Sequence, residues 1–124
     1  MLEPGEVVAA ITVPANPAAR QSTYVKVRDR ASFEFAVVSA AVALDMDGDS
    51  IRQARVALGG VGTKPWRVPR VEAALAGATL DPAALRQAAA LAAEAAQGRG
   101  HNDFKIELMQ RAIVRAIETA GARA

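Results

Sequence analysis

Lys26, Arg28 and Arg30 place three cations within five residues, with Asp29 between the last two. Such a group at the end of a strand could face an anionic ligand. It could equally be a solvated edge with a local ion pair, a contact that contributes ~0–1 kcal/mol when exposed. Asp45-Met46-Asp47-Gly48-Asp49 sets carboxylates as closely as a calcium loop does. Its glycine stands fourth rather than sixth, however, and Val56 occupies the twelfth position, where such a loop needs a bidentate glutamate. A hairpin turn accounts for the same residues. Gly59-Gly60-Val61-Gly62-Thr63-Lys64 resembles a phosphate-binding loop in composition. Pro65 follows Lys64 and disfavours helical geometry there, so a glycine-rich bend between sheet and helices is the simpler reading.

Trp66 lies between Pro65 and Arg67, and a packing plug beneath a loop is the expected role. His101, the single histidine, falls in Gly98-Arg99-Gly100-His101-Asn102, a helix-entry loop in which a solvent-facing side chain is expected. The chain has no cysteine, so disulfide, thiolate and zinc–thiolate chemistry have no ligands in it.

The elements that position these residues divide the chain in two. Glu6–Val13 is β-branched and apolar and stops at Pro14, which reads as a strand; residues 15–20 read as a loop. Ser22–Arg28 alternates, with Tyr24 and Lys26 on one face and Val25 and Val27 on the other. Phe35–Asp45 and Ile51–Gly59 flank an Asp47-Gly48-Asp49-Ser50 turn and read as a hairpin, although the alanines of the first run also suit a helix.

The second half is helical in pattern. Val68–Ala76 ends at Gly77. Asp81-Pro82 supplies an N-cap and a first-turn proline for a helix running to about Gln97, closed by Gly98. A last helix begins at Asn102 or Asp103 and reaches about Ala120 before Gly121, with Ile106, Met109, Ile113, Ala116 and Ala120 in one stripe. Strands at about 5–60 followed by helices at about 68–121 imply an α+β fold. An antiparallel sheet of about four strands would carry three helices on one face, with residues 1–124 forming a single domain.

The 124 residues are 52% hydrophobic and 23% charged, too apolar for a disordered tail, and much of the apolar share is alanine, so a shallow core is expected. No charge-free run spans a bilayer, and Met1-Leu2-Glu3-Pro4 has neither the basic start nor the apolar stretch of a signal peptide. With a net charge of +2 and dispersed basic residues, neither a nucleic-acid nor a membrane partner is expected.

Tyr24–Ala36 (YVKVRDRASFEFA) resembles the KxRxRxSxxFA segment of the flavoprotein subunit of molybdenum hydroxylases, the family of xanthine dehydrogenases, aldehyde oxidoreductases and carbon monoxide dehydrogenases. The resemblance continues through Val56–Val61, Lys64-Pro65-Trp66-Arg67 and Asn102–Ile106. Leu2–Val8 resembles the strand that opens the family's C-terminal domain. The RDRASFEFA and KPWR wording leans toward the bacterial aldehyde-oxidising branch.

The resemblance implies the same α+β fold, and a C-terminal domain that closes over the FAD isoalloxazine and helps electrons pass from iron–sulfur clusters to FAD. It implies that Lys26 approaches the flavin ring, that Val8 is the aliphatic residue against it, and that Arg30 supports that wall. A cation there would stabilise the anionic reduced flavin, and an aliphatic wall would exclude water. The family's N-terminal FAD-binding region, with its glycine-rich pyrophosphate segments, has no counterpart in this chain. The expectation is therefore a dissected domain or a short reading frame, with only a partial FAD site and no activity alone.

The molybdenum cofactor and iron–sulfur clusters would reside in partner subunits. The implied partners are the N-terminal FAD-binding region, the molybdenum subunit and the iron–sulfur subunit. The implied location is cytoplasmic, or periplasmic by co-export with a partner. The other class of reading is a stand-alone, non-catalytic interaction module with this fold and no flavin.

Overall fold

A computed structural model describes residues 2–122. A 3-10 turn, Pro17–Gln21, leads into β1 (Ser22–Val27), β2 (Val38–Asp47), β3 (Ser50–Gly59) and β4 (Trp66–Arg67), followed by α1 (Pro69–Leu75), α2 (Pro82–Ala90) and α3 (Phe104–Gly121). The sheet is antiparallel throughout, in the order β1-β2-β3-β4. The expected α+β architecture, four strands and then three helices, is the one observed.

The β2–β3 hairpin sets the sheet. Alternating apolar residues on both strands meet across Ala40↔Leu58, Val42↔Val56 and Leu44↔Ala54. The connection is Gly48-Asp49, and Gly48 adopts φ +56°, a left-handed conformation that glycine adopts at little cost. A bulge at Asp45/Met46 lets both Arg52 and Gln53 face out while Ile51 and Ala54 stay buried. Arg52 then closes a two-pronged contact on Asp45, at 3.0 and 2.9 Å.

The helices cover one face only. α3 packs across β1 and β2, α1 lies over β3, and α2 rests on α1 and α3. α3 buries Met109, Ala112, Ile113, Ala116, Ile117 and Ala120, which is the expected stripe widened by Ala112 and Ile117; Ile106 sits half-buried at its end. Alanines make up much of this core, so helices and sheet approach closely. Asp81 caps α2 as anticipated, its carboxylate accepting from the N–H groups of Ala83 and Ala84 at 2.9 Å.

Four sequence expectations shift. Glu6–Val13 forms no strand, because no strand edge within the chain pairs with it. The fourth strand is instead Trp66–Arg67, short because only Ala57 and Leu58 of β3 pair with it. Residues 15–20 are more ordered than a loop, since Asn16 caps the 3-10 turn and Ala18 is buried. The second helix ends at Ala90 and tightens into a 3-10 turn, Leu91–Ala95, because alanine's helix preference is weak against the need to turn the chain back toward α3. Gly121 belongs to α3 rather than stopping it; a Cβ there would lie 2.5 Å from Leu80 Cδ1, so close packing selects the glycine. β2 also starts later than Phe35, at Val38, leaving Phe35 exposed.

Ile113 is completely buried on α3 at the centre of this packing. Ile113→Ala should lower unfolding stability by about 3 kcal/mol, read as a reduced urea midpoint with unchanged slope. A loss well under 1 kcal/mol would mean the helices do not close on the sheet as described.

Candidate functional site

The face of the sheet opposite the helices carries no covering element among the described residues. The register places Tyr24 beside Ala41, Lys26 beside Ser39, Ala43 beside Arg55 and Ala57 beside Arg67 on this face. Tyr24, Ala41, Ala43, Ala57, Arg55 and Arg67 line a shallow trough of about 730 Å³, with a floor of methyl groups and guanidinium groups along one side.

The strongest electrostatic feature lies at its β4 side. β4 is only two residues long, so the ladder from β3 stops at Ala57 and leaves the Val56 N–H without a strand partner. Glu72 of α1, 8% exposed, accepts from that N–H at 2.9 Å. Arg67 donates to both carboxylate oxygens, from Nε at 2.8 Å and Nη2 at 2.7 Å, and Arg55 Nη1 approaches at 3.4 Å. Burial alone would push the Glu72 carboxyl up. The hydrogen bond from Arg67, the Val56 N–H and the charges of Arg67 and Arg55 outweigh it, and the group sits below its ordinary value. Arg67 is held charged by the same contact.

The cationic group is dispersed by the fold. Lys26 stands exposed on the open face and makes no hydrogen bond or ion pair among the described residues. Arg28 Nη1 donates to the Ser32 carbonyl at 2.6 Å. Arg30 donates from Nε to Ser32 Oγ at 3.1 Å and pairs with Glu34 at 3.7 Å, while its backbone N–H reaches Glu34 Oε1. The local ion pair therefore uses Glu34 rather than Asp29. The same loop leaves Phe33 and Phe35 almost wholly exposed.

Val8 lies in the segment before the 3-10 turn, 62% exposed. Lys26 and Arg30 flank the end of β1. None of the three lines the trough or the cleft described next.

That cleft, of about 460 Å³, lies where sheet meets helices. Gly60, Val61 and Gly62 form one wall, Trp66 the base, and Asn102, Lys105 and Ile106 of the α3 entry the other wall. Lys105 Nζ donates to the Gly60 carbonyl at 2.8 Å and ties the walls together. The glycine-rich run is thus the expected bend, with Lys64 exposed, and Trp66 packs against the core from beneath it. His101 is exposed, as expected.

Sequence reasoning missed Glu72 and its arginines. The available signal was a lone acid one residue after Val71 on the buried side of a short helix, with Arg67 five positions before it.

Residues 22–120 match the family described as CO dehydrogenase flavoprotein C-terminal domain. The chain is 40% identical over 124 residues to the aldehyde oxidoreductase FAD-binding subunit PaoB of Escherichia coli, covering 99% of this chain and 35% of that protein. It is 34% identical over 127 residues to the carbon monoxide dehydrogenase medium chain of Afipia carboxidovorans, covering 99% of this chain and 44% of that protein. The chain thus spans about two-fifths of the length of these relatives. Among solved structures, it superposes on a chain of carbon monoxide dehydrogenase from Hydrogenophaga pseudoflava with a TM-score of 0.78 at 28% identity, over 90% of this chain and 40% of that one.

Because the folded Glu72 carboxyl lies below its ordinary 4.5, its contribution to stability is complete above that value and is lost as pH falls through the lower folded value. Urea midpoints measured from pH 7 down to 3 should fall more steeply below about 4.5 in the wild type than in Glu72→Gln. At pH 7, Glu72→Ala should cost about 2–3 kcal/mol by leaving Val56 N–H and two guanidinium groups unpaired.

Proposed function

The chain belongs to the CO dehydrogenase flavoprotein C-terminal domain family, the C-terminal domain of the FAD-binding subunit of molybdenum hydroxylases, and from that premise we propose that it forms the closing side of a flavin site. The carrying observation is where the chain leaves apolar side chains unburied. Val7, Val8, Ile11, Val13, Phe33 and Phe35 are each more than 60% exposed, and all precede β2, on the two segments that flank β1. A surface of this kind calls for a covering partner.

Lys26 fits the flavin role, since its ammonium group has no other charge or acceptor to satisfy. In this reading Lys26 approaches the electron-rich edge of the ring and favours its anionic reduced form. Val8 excludes water from the ring, and Arg30, held by Ser32 and Glu34, stiffens the loop beside it. FAD, when bound, supplies the redox chemistry, receiving electrons that leave a molybdenum centre through iron–sulfur clusters in partner subunits. The domain breaks no substrate bond. Its partners are the N-terminal FAD-binding region, the molybdenum subunit and the iron–sulfur subunit.

FAD titrated into the chain should bind tightly only when an N-terminal FAD-binding region is supplied in trans, and the two should then co-elute. In that complex Lys26→Ala should lower the two-electron flavin potential by about 30 mV, equivalent to ~1.4 kcal/mol. An unchanged potential and oxidase rate would remove Lys26 from the flavin's surroundings. If the parts never associate, and the chain stays folded without flavin, it acts as an interaction module instead.

A further inference from the structure

Residues 7–13 make no hydrogen bond among the described residues: the only bonds upstream of Asn16 join Glu3 and Glu6. Every residue from Leu2 to Pro17 is exposed, and burial begins only at Ala18 in the 3-10 turn. Yet the segment VVAAITV is strongly strand-forming by composition, and it carries no charge. Alternation puts Val7, Ile11 and Val13 on one face, at 83%, 82% and 83% exposure, and Val8 on the other. A run this short, closed by Pro14 and rich in β-branched residues, is unsuited to docking as a helix. Backbone groups without partners and an apolar ridge of period two are together satisfied by one structure, a strand in a sheet.

We infer that residues 7–13 add as a strand to an open sheet edge in the FAD-binding region, with Val7, Ile11 and Val13 turned into that region's core and Val8 on the opposite face. The inference rests on the flavin-site reading for the identity of its partner. The similarity to PaoB runs over 99% of the chain, whereas the domain's own match begins at residue 22. The segment is therefore shared with a FAD-binding subunit while lying outside the domain that folds here. The arrangement also explains how Val8 can differ in role from its neighbours: a strand whose odd residues are buried presents its even residues to the other side.

The test is amide hydrogen exchange at residues 7–13, in the full chain alone and in its complex with the FAD-binding region, together with affinity measurements on Ile11→Pro. Alone, these amides should exchange at the rate of an unstructured peptide. In the complex they should slow by at least a hundredfold, and Ile11→Pro should weaken association at least tenfold while leaving the chain's own melting temperature unchanged, because residue 11 touches nothing in the isolated fold. If the complex forms and holds FAD while residues 7–13 still exchange freely, the strand inference is overturned and the flavin reading stands. If the amides are protected and Ile11→Pro weakens binding, but FAD is held no better than by the region alone, the strand stands and the flavin reading fails. Failure of the wild-type chain to associate at all overturns both. Protection in the chain alone, accompanied by a dimer in solution, would make a second copy the occupant and overturn the inference as stated.

Discussion

One constraint governs this molecule: its sheet is covered on a single face. Three helices with many alanines lie against Val38, Val42, Leu44, Val56 and Leu58, and the short side chains let them come close enough to exclude water. The opposite face keeps only small residues at its centre, with Tyr24, Lys26, Arg55 and Arg67 around them. Apolar burial is nearly all on one side, so everything on the other side must be polar, small or covered by another body.

Glu72 makes that one-sided arrangement stable at its weakest edge. A two-residue β4 cannot complete the β3 ladder, and a carboxylate from α1 replaces the missing strand at the Val56 N–H. A buried charge in that position needs counter-charge, and Arg67 and Arg55 provide it from the sheet. The network ties helix to sheet through groups distant in role from the flavin reading. Its acidic residue is structural, which is why a perturbed carboxyl here does not mark a reaction centre.

The region before β2 behaves differently. It holds the uncommitted lysine, the internally braced Arg30 and most of the exposed large apolar side chains, while the helical half is closed on itself. A domain that shapes one wall of a cofactor site needs this division: a self-sufficient core to hold the wall, and a surface left unsatisfied until the rest of the site arrives. Family membership supplies the cofactor's identity, and the distribution of unburied groups supplies the side on which it would be met.

Much was legible in the chain itself. Alternation in residues 22–28, the Asp-Gly turn, the Asp81-Pro82 cap and the α3 stripe are local patterns with periods of two or 3.6, and each corresponds to an element in the fold. The family was legible from YVKVRDRASFEFA and KPWR because those runs are specific. The partnership of Glu72 with Arg67 and Arg55 was not, since it joins β3, β4 and α1 across up to 17 positions, and no local period encodes it. Nor could the sequence tell that Glu6–Val13 would find no partner while Trp66–Arg67 would. Strand propensity belongs to the residues, but a strand exists only where a second backbone completes its hydrogen bonds, and only the tertiary structure supplies that second backbone.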